Sequence, residues 1–237
     1  MNPDSPESPR RRWMHLLVDG LVIVGSILFA FAIDAWWDTS RDAAATQSHL
    51  ALLAEQNTAN REGLAQAVER LSLAETAMDA LVQLIGPRPD PVTGDSLVTL
   101  LVTSFGYGDF DVELSAVGEI LTSGQLNTGV WGQLYKHLLA FRAASGYYED
   151  SFHRLVDGRD DAVAYLTART EFGSLLSPTV GDTTLFPVPV RKVLTDSRLE
   201  GLLVNLEVRG LTARRRAQYL MTVSDSIYAI LAQAGAF

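Results

Sequence analysis

Hydrophobic positions follow two patterns along this chain, an unbroken apolar run near the start and then stripes that recur every three and four residues. The run spans Trp13 to Trp37, WMHLLVDGLVIVGSILFAFAIDAWW, with tryptophans at both ends. As a helix rising 1.5 Å per residue it reaches roughly 37 Å, enough to cross a hydrocarbon core of about 30 Å with some tilt. From Asp38 to Ile85 there is no proline and one glycine, Gly63. Apolar residues there recur at Leu50, Leu53, Leu64, Ala67, Leu71, Ala74, Met78, Leu81 and Ile85, so the first helix is expected to run straight on as a long one. Asn57 and Asn60 fall on the same stripe, where buried asparagines fix register or partner number at a cost in stability.

Gly86-Pro87-Arg88-Pro89-Asp90-Pro91 stops that helix, because prolines at alternate positions forbid helical hydrogen bonding. A short helix is predicted over 96–105, then a loop at 106–111, then a helix through Leu121 closed by Ser123-Gly124. A second long helix is predicted over 128–172 from the spacing of Leu134, Leu138, Phe141, Ser145, Tyr148, Phe152 and Leu155, with Gly146 and Gly158 as points where it could bend. Residues 173–190 read as an irregular connection with room for a brief strand. From Asp196, an N-cap residue, a last helix carries Leu199, Leu203, Leu206, Gly210, Ala213, Ala217, Leu220, Ser224, Ile227 and Leu231 in one heptad register. The expected fold is all-α, a transmembrane helix running into an antiparallel extracytoplasmic helical bundle.

Composition changes this picture little, and charge sharpens it. With 237 residues, 47% apolar and 20% charged, the part beyond the anchor is large enough for one domain with its own core. Cysteine is absent, which removes disulfides and thiolate chemistry. After Trp37 the chain carries 16 Lys and Arg against 24 Asp and Glu, a net −8 that disfavours nucleic acid as a partner. Arg10, Arg11 and Arg12 precede the run, whereas Asp34, Asp38 and Asp42 lie at its far end with Arg41. The bias of basic residues toward the cytoplasmic side puts residues 1–12 in the cytoplasm as a disordered tail, residues 13–37 across the membrane and residues 38–237 outside, in the periplasm of a diderm bacterium. The basic start, apolar centre and Ala30-Phe31-Ala32 also imitate a cleavable signal. The length of the run, Asp19 within it and the interfacial anchors Trp13, Trp36 and Trp37 favour an uncleaved anchor.

On a helical wheel Asp19, Ser26, Ala30 and Asp34 fall within about 80° of one another, with His15 beside them. Small and polar residues of this kind let membrane helices approach and hydrogen-bond, so this seam points to self-association or docking on another membrane protein. Asp19 alternatively reaches back to the headgroups, or carries a proton as the carboxylate of an ion-driven stator subunit does.

The segment from Val24 to Trp37, VGSILFAFAIDAWW, resembles the start of a bacterial family of uncharacterised one-pass membrane proteins, in which an acidic residue precedes a run of the form V-x-G-I-L-I-A-L-x-I-N-x-W. Ser123-Gly124-Gln125-Leu126 and the helical C-terminus are similar too. The chain departs from that pattern at Asp34, where the family has asparagine, and at Asp19-Gly20, where it has glycine before glutamate. The resemblance implies topology and a bacterial origin, and no site.

Chemical signatures are sparse. Glu149, Asp150, His153 and Asp157 have spacings of three and four that suit one helix face and a metal, but di-metal bundles need a second such motif and none is present, so a solvated acidic face is the expected reading. Asp109, Asp111 and Glu113 alternate as in a calcium loop without its sixth-position glycine or twelfth-position glutamate. No serine lies in a G-x-S-x-G elbow and the four histidines are scattered. Arg209, Arg214, Arg215 and Arg216 are the basic cluster of the acidic part, expected to pair with its own carboxylates, with anionic lipid or an acidic partner as the alternative. Trp131, Tyr135, Tyr147 and Tyr148 read as core or bundle edge. The expected protein is therefore a membrane-anchored interaction or scaffold protein without catalysis or cofactor, touching lipid and binding itself or another membrane or periplasmic protein. A ligand-sensing bundle that signals through a partner and an ion-coupled subunit using Asp19 are the alternatives.

Overall fold

The computed structural model describes residues 9–86, 94–108, 110–123, 130–170 and 190–235, and for residues 9–19, 42–43, 94–95, 123, 130–131, 190–191 and 193 the backbone alone. Five α-helices account for nearly all of it: α1 (Pro9–Leu84), α2 (Gly94–Phe105), α3 (Ser115–Ser123), α4 (Val130–Arg169) and α5 (Ser197–Gln233), with a 3-10 turn at Val190–Thr195 before α5. Among the described residues there is no strand. The strand reading for 173–190 falls almost wholly outside them, as do the prolines after Gly86 and the Ser123-Gly124 closure beyond Ser123.

Two compact units divide the chain, Met1–His49 and Leu50–Phe237. In the first, every side chain described from Gly20 to Arg41 is exposed, including the large apolar ones. The second has a continuous core. The predicted stripes are its inward faces: Leu53, Leu64, Leu71, Met78 and Leu81 of α1, Leu134, Leu138, Phe141 and Leu155 of α4, and Leu199, Leu203, Leu206, Leu220, Ile227 and Leu231 of α5 are all buried. Leu97, Leu101 and Phe105 of α2 and Ala116, Val117 and Ile120 of α3 complete it. Burying a leucine fully is worth roughly 1.5–3 kcal/mol, so these stripes supply the drive that helix propensity alone lacks.

Polar contacts tie the ends. Asp196 caps α5, accepting from the Arg198 N–H at 2.9 Å. Its other carboxylate oxygen accepts from the Tyr165 hydroxyl and from Arg169 Nη1 at 2.9 Å, so the last turn of α4 holds the first turn of α5. The Tyr165 hydroxyl first, then the Arg198 N–H and the two guanidiniums, hold the Asp196 carboxyl below the usual carboxylate range. The Gly86 N–H donates to the Leu194 carbonyl at 3.0 Å, joining the segment after α1 to the 3-10 turn. Both α4 and α5 run uninterrupted through their glycines, Gly146, Gly158 and Gly210.

Candidate functional site

The first unit presents the surface that the sequence marks most strongly. Its helix contains an 18-residue window long and apolar enough to cross a membrane, none of it buried within the protein. Leu21 is 76% exposed, Phe29 68% and Trp36 66%. Such a continuous apolar surface on a helix is costly in water and stable in lipid. Within the seam, Ser26 Oγ donates to the Val22 carbonyl of its own helix at 2.7 Å, so this hydroxyl's proton is already used and only its lone pairs are open. Ala30 and Asp34 are exposed alongside it. The side chains of Trp13, His15 and Asp19 lie outside the described residues. At the far end Trp36, Trp37, Ser40, Arg41 and Ala44 form one shallow hollow, with apolar rings and a guanidinium side by side. That combination suits the headgroup layer, where amphipathic rings and cations both find partners.

In the second unit the buried asparagines of α1 make reciprocal bonds within the chain. Asn57 Nδ2 donates to the Ser224 carbonyl at 3.1 Å, and Ser224 Oγ donates back to Asn57 Oδ1 at 2.7 Å. Asn60 Nδ2 donates to the Glu113 carbonyl at 2.9 Å while the Glu113 N–H donates to Asn60 Oδ1 at 3.0 Å. Gln56 repeats the device one turn away, taking the Ala116 N–H at 3.0 Å and donating to Ser115 Oγ at 2.6 Å. Asn60 thus docks the non-helical segment before α3 onto α1, Gln56 docks the first turn of α3, and Asn57 docks α5. Glu113 caps α3 through the Ser115 N–H, which together with the Ser115 hydroxyl lowers its carboxyl pKa. Asp109 of the calcium-like spacing lies outside the described residues, and the Glu113 backbone is committed to Asn60.

The four residues with metal-like spacing line two different grooves. Glu149 and His153 line a groove of about 300 Å³ with Phe110 and Asp111, whereas Asp150 and Asp157 line another, of about 670 Å³, with Arg154, Arg209 and Arg216. Consecutive helix positions point about 100° apart, which separates 149 from 150 and sends each with its own i+4 or i+7 neighbour. Ser145 Oγ donates to Glu149 at 3.0 Å, and Asp150 pairs with Arg154 at 3.0 Å. Among the described residues no three carboxylates or histidines stand close enough to hold a metal ion.

Of the arginine cluster, Arg214 alone meets a carboxylate among the described residues, Glu75 of α1, at 3.0 Å. Arg209 Nη1 donates to the Arg154 carbonyl at 2.6 Å, Arg216 lies over the Tyr147 ring at 5.2 Å, and Arg215 is exposed. Tyr148 is buried in the core beside Phe152, Tyr135 packs half-buried against it and Tyr147 is exposed, while the Trp131 side chain lies outside the described residues.

No family model, curated protein or solved structure matches this chain.

One cluster lies outside the sequence reading. Glu75 and Asp79, one turn apart on α1, meet Glu207 of α5, and burial first, then the Asp79 and Glu75 carboxylates, raise the Glu207 carboxyl above the ordinary range. Close by, Tyr107 is buried with its hydroxyl unpartnered, and burial pushes its phenol above the ordinary range. The i, i+4 spacing of Glu75 and Asp79 was visible in the chain, but the approach of Glu207 from 128 positions beyond Asp79 depends on how α1 meets α5.

Proposed function

We propose that this protein is a single-pass, membrane-anchored helical interaction protein of the bacterial inner membrane, with no catalytic role. Its N-terminus lies in the cytoplasm, and residues 38–237 form a periplasmic antiparallel bundle that binds a second copy or another membrane or periplasmic protein. The observation that carries the reading is the wholly exposed apolar helix with Trp36 and Trp37 at its end. The orientation rests on Arg10, Arg11 and Arg12 before the run and the aspartates after it. The antiparallel arrangement is supported by the order of paired residues. Glu75 meets Arg214 while Asn57 meets Ser224, and Tyr147 meets Arg216 while Tyr165 meets Asp196, so α5 runs against both α1 and α4. The likeness of Val24 to Trp37 to one-pass bacterial proteins agrees with this topology.

Crosslinking in native membranes tests the interaction. A discrete crosslinked species containing a second copy or one recurring partner is expected, and a chain recovered only as a monomer across crosslinkers of several lengths defeats the proposal. The absence of cysteine allows a clean test of orientation. In cells with a permeabilised outer membrane, a membrane-impermeant maleimide is expected to label Ser48→Cys and to reach Ser5→Cys only after lysis. The reverse pattern would invert the topology, and equal labelling of both would remove the anchor.

A further inference from the structure

We propose that the groove between α4 and α5 binds a small soluble molecule carrying two or more phosphate groups. At about 670 Å³ the groove has the size of a small-molecule site. Three guanidiniums line it, those of Arg154, Arg209 and Arg216, on a part of the chain whose net charge is −8. What distinguishes them is how they are held. Arg209 is positioned by a main-chain carbonyl and Arg216, itself exposed, lies over the exposed Tyr147 ring; both neighbours are neutral, and no carboxylate among the described residues pairs with either arginine. Neutral supports orient a guanidinium and leave its charge uncompensated, whereas a carboxylate would consume it. Arg154 is paired with Asp150, but both side chains are more than half exposed, so that contact is weak and exchangeable.

The spacing selects the ligand. Arg209 and Arg216 are seven residues apart on one side of α5, about 10 Å along the axis, so a molecule engaging both spreads its negative charge over several ångströms. A diphosphate does this and the planar guanidinium fork suits its oxygens. Asp157 lies in the same groove and opposes an anion, which supplies a signature that a merely structural arginine cluster lacks.

The probe is inorganic pyrophosphate, titrated calorimetrically into the full chain in detergent at constant ionic strength, with the thermal midpoint followed in parallel. Saturable binding with a raised midpoint is expected. Arg216→Gln should weaken it about tenfold or more, since a charge-assisted hydrogen bond is lost. Asp157→Asn should tighten it about threefold, the scale of one exposed charge interaction. Unliganded midpoints and far-UV spectra establish that both variants fold. The absence of saturable binding at low-millimolar pyrophosphate overturns the proposal, as does equal binding by Arg216→Gln. Monomeric short-chain phosphatidylglycerol forms the second arm, and saturation by it alone assigns the groove to a lipid headgroup and overturns the soluble-ligand reading.

Discussion

Gly63→Ala is expected to destabilise the second unit by about 1–3 kcal/mol, the opposite of what glycine removal does inside a helix. Taken alone, alanine in mid-helix gains roughly 0.5–1 kcal/mol over glycine. At Gly63, however, the Phe110 ring occupies the space where a Cβ would stand. The methyl must push the ring off α1, and Phe110 is one of the apolar side chains packed against the core. The cost of that overpacking exceeds the propensity gain. Urea or thermal unfolding of the full chain followed by circular dichroism measures it. For a unit of this size about 2–4 °C of midpoint accompanies each kcal/mol. The decisive comparison is a cycle: in a Phe110→Ala background the obstacle is gone and Gly63→Ala should turn stabilising. Gly146→Ala serves as the reference, because a Cβ there meets open space and the propensity gain should appear undiminished. Stabilisation by Gly63→Ala in the otherwise unaltered chain would show that Phe110 does not hold that position.

Asn60→Ala is expected to cost about 2–4 kcal/mol, more than Asn57→Ala, although both asparagines are buried. The difference lies in the partners. Asn60 satisfies the N–H and the C=O of Glu113 at once, in a segment outside any helix, so its loss strands two main-chain groups that no substitution can remove. Asn57 faces a side chain, Ser224, and a carbonyl within α5. Replacing both Asn57 and Ser224 with apolar residues of matching size should therefore recover much of what either single change loses, since matched apolar pairs replace buried polar pairs at little cost. No second-site change should rescue Asn60→Ala in this way. Equal losses at the two positions, or rescue at both, would refute the distinction. Hydrogen exchange gives an independent reading, because the Glu113 amide should lose protection in Asn60→Ala while amides of α5 keep theirs.

The two asparagines illustrate how far the chain could be read on its own. That they sit on a buried stripe was legible, because 57 and 60 fall in phase with Leu53, Leu64 and Leu71. What they hold was not, because Glu113 and Ser224 are 53 and 167 positions away. Gly63 is a similar case: its solitude between Asp38 and Ile85 was visible, and the ring that requires it lies 47 positions on. The acidic set on α4 shows the opposite failure. Spacings of three and four suggested one site, yet the set contains two neighbours in sequence, 149 and 150, which point about 100° apart and line different grooves. Each half joined residues of other elements, Phe110 and Asp111 on one side and Arg209 and Arg216 on the other.

By itself the sequence determined the helices and which side of each is apolar, because periodicity is a local property in which every side chain's direction follows from its position along the turn. It also determined that one helix is apolar between Trp13 and Trp37 except along the line of His15, Asp19, Ser26 and Asp34, for the same reason. Tertiary structure alone decided the pairings: that Asn60 clamps the segment before α3, that Phe110 covers Gly63, that Glu207 joins Glu75 and Asp79, and that Arg209 and Arg216 of α5 line a groove with α4 with no carboxylate among the described residues paired to either. Those contacts join positions tens to more than a hundred residues apart, and their geometry is set by how the buried stripes interdigitate, a property of all the helices of the second unit together and of no single segment.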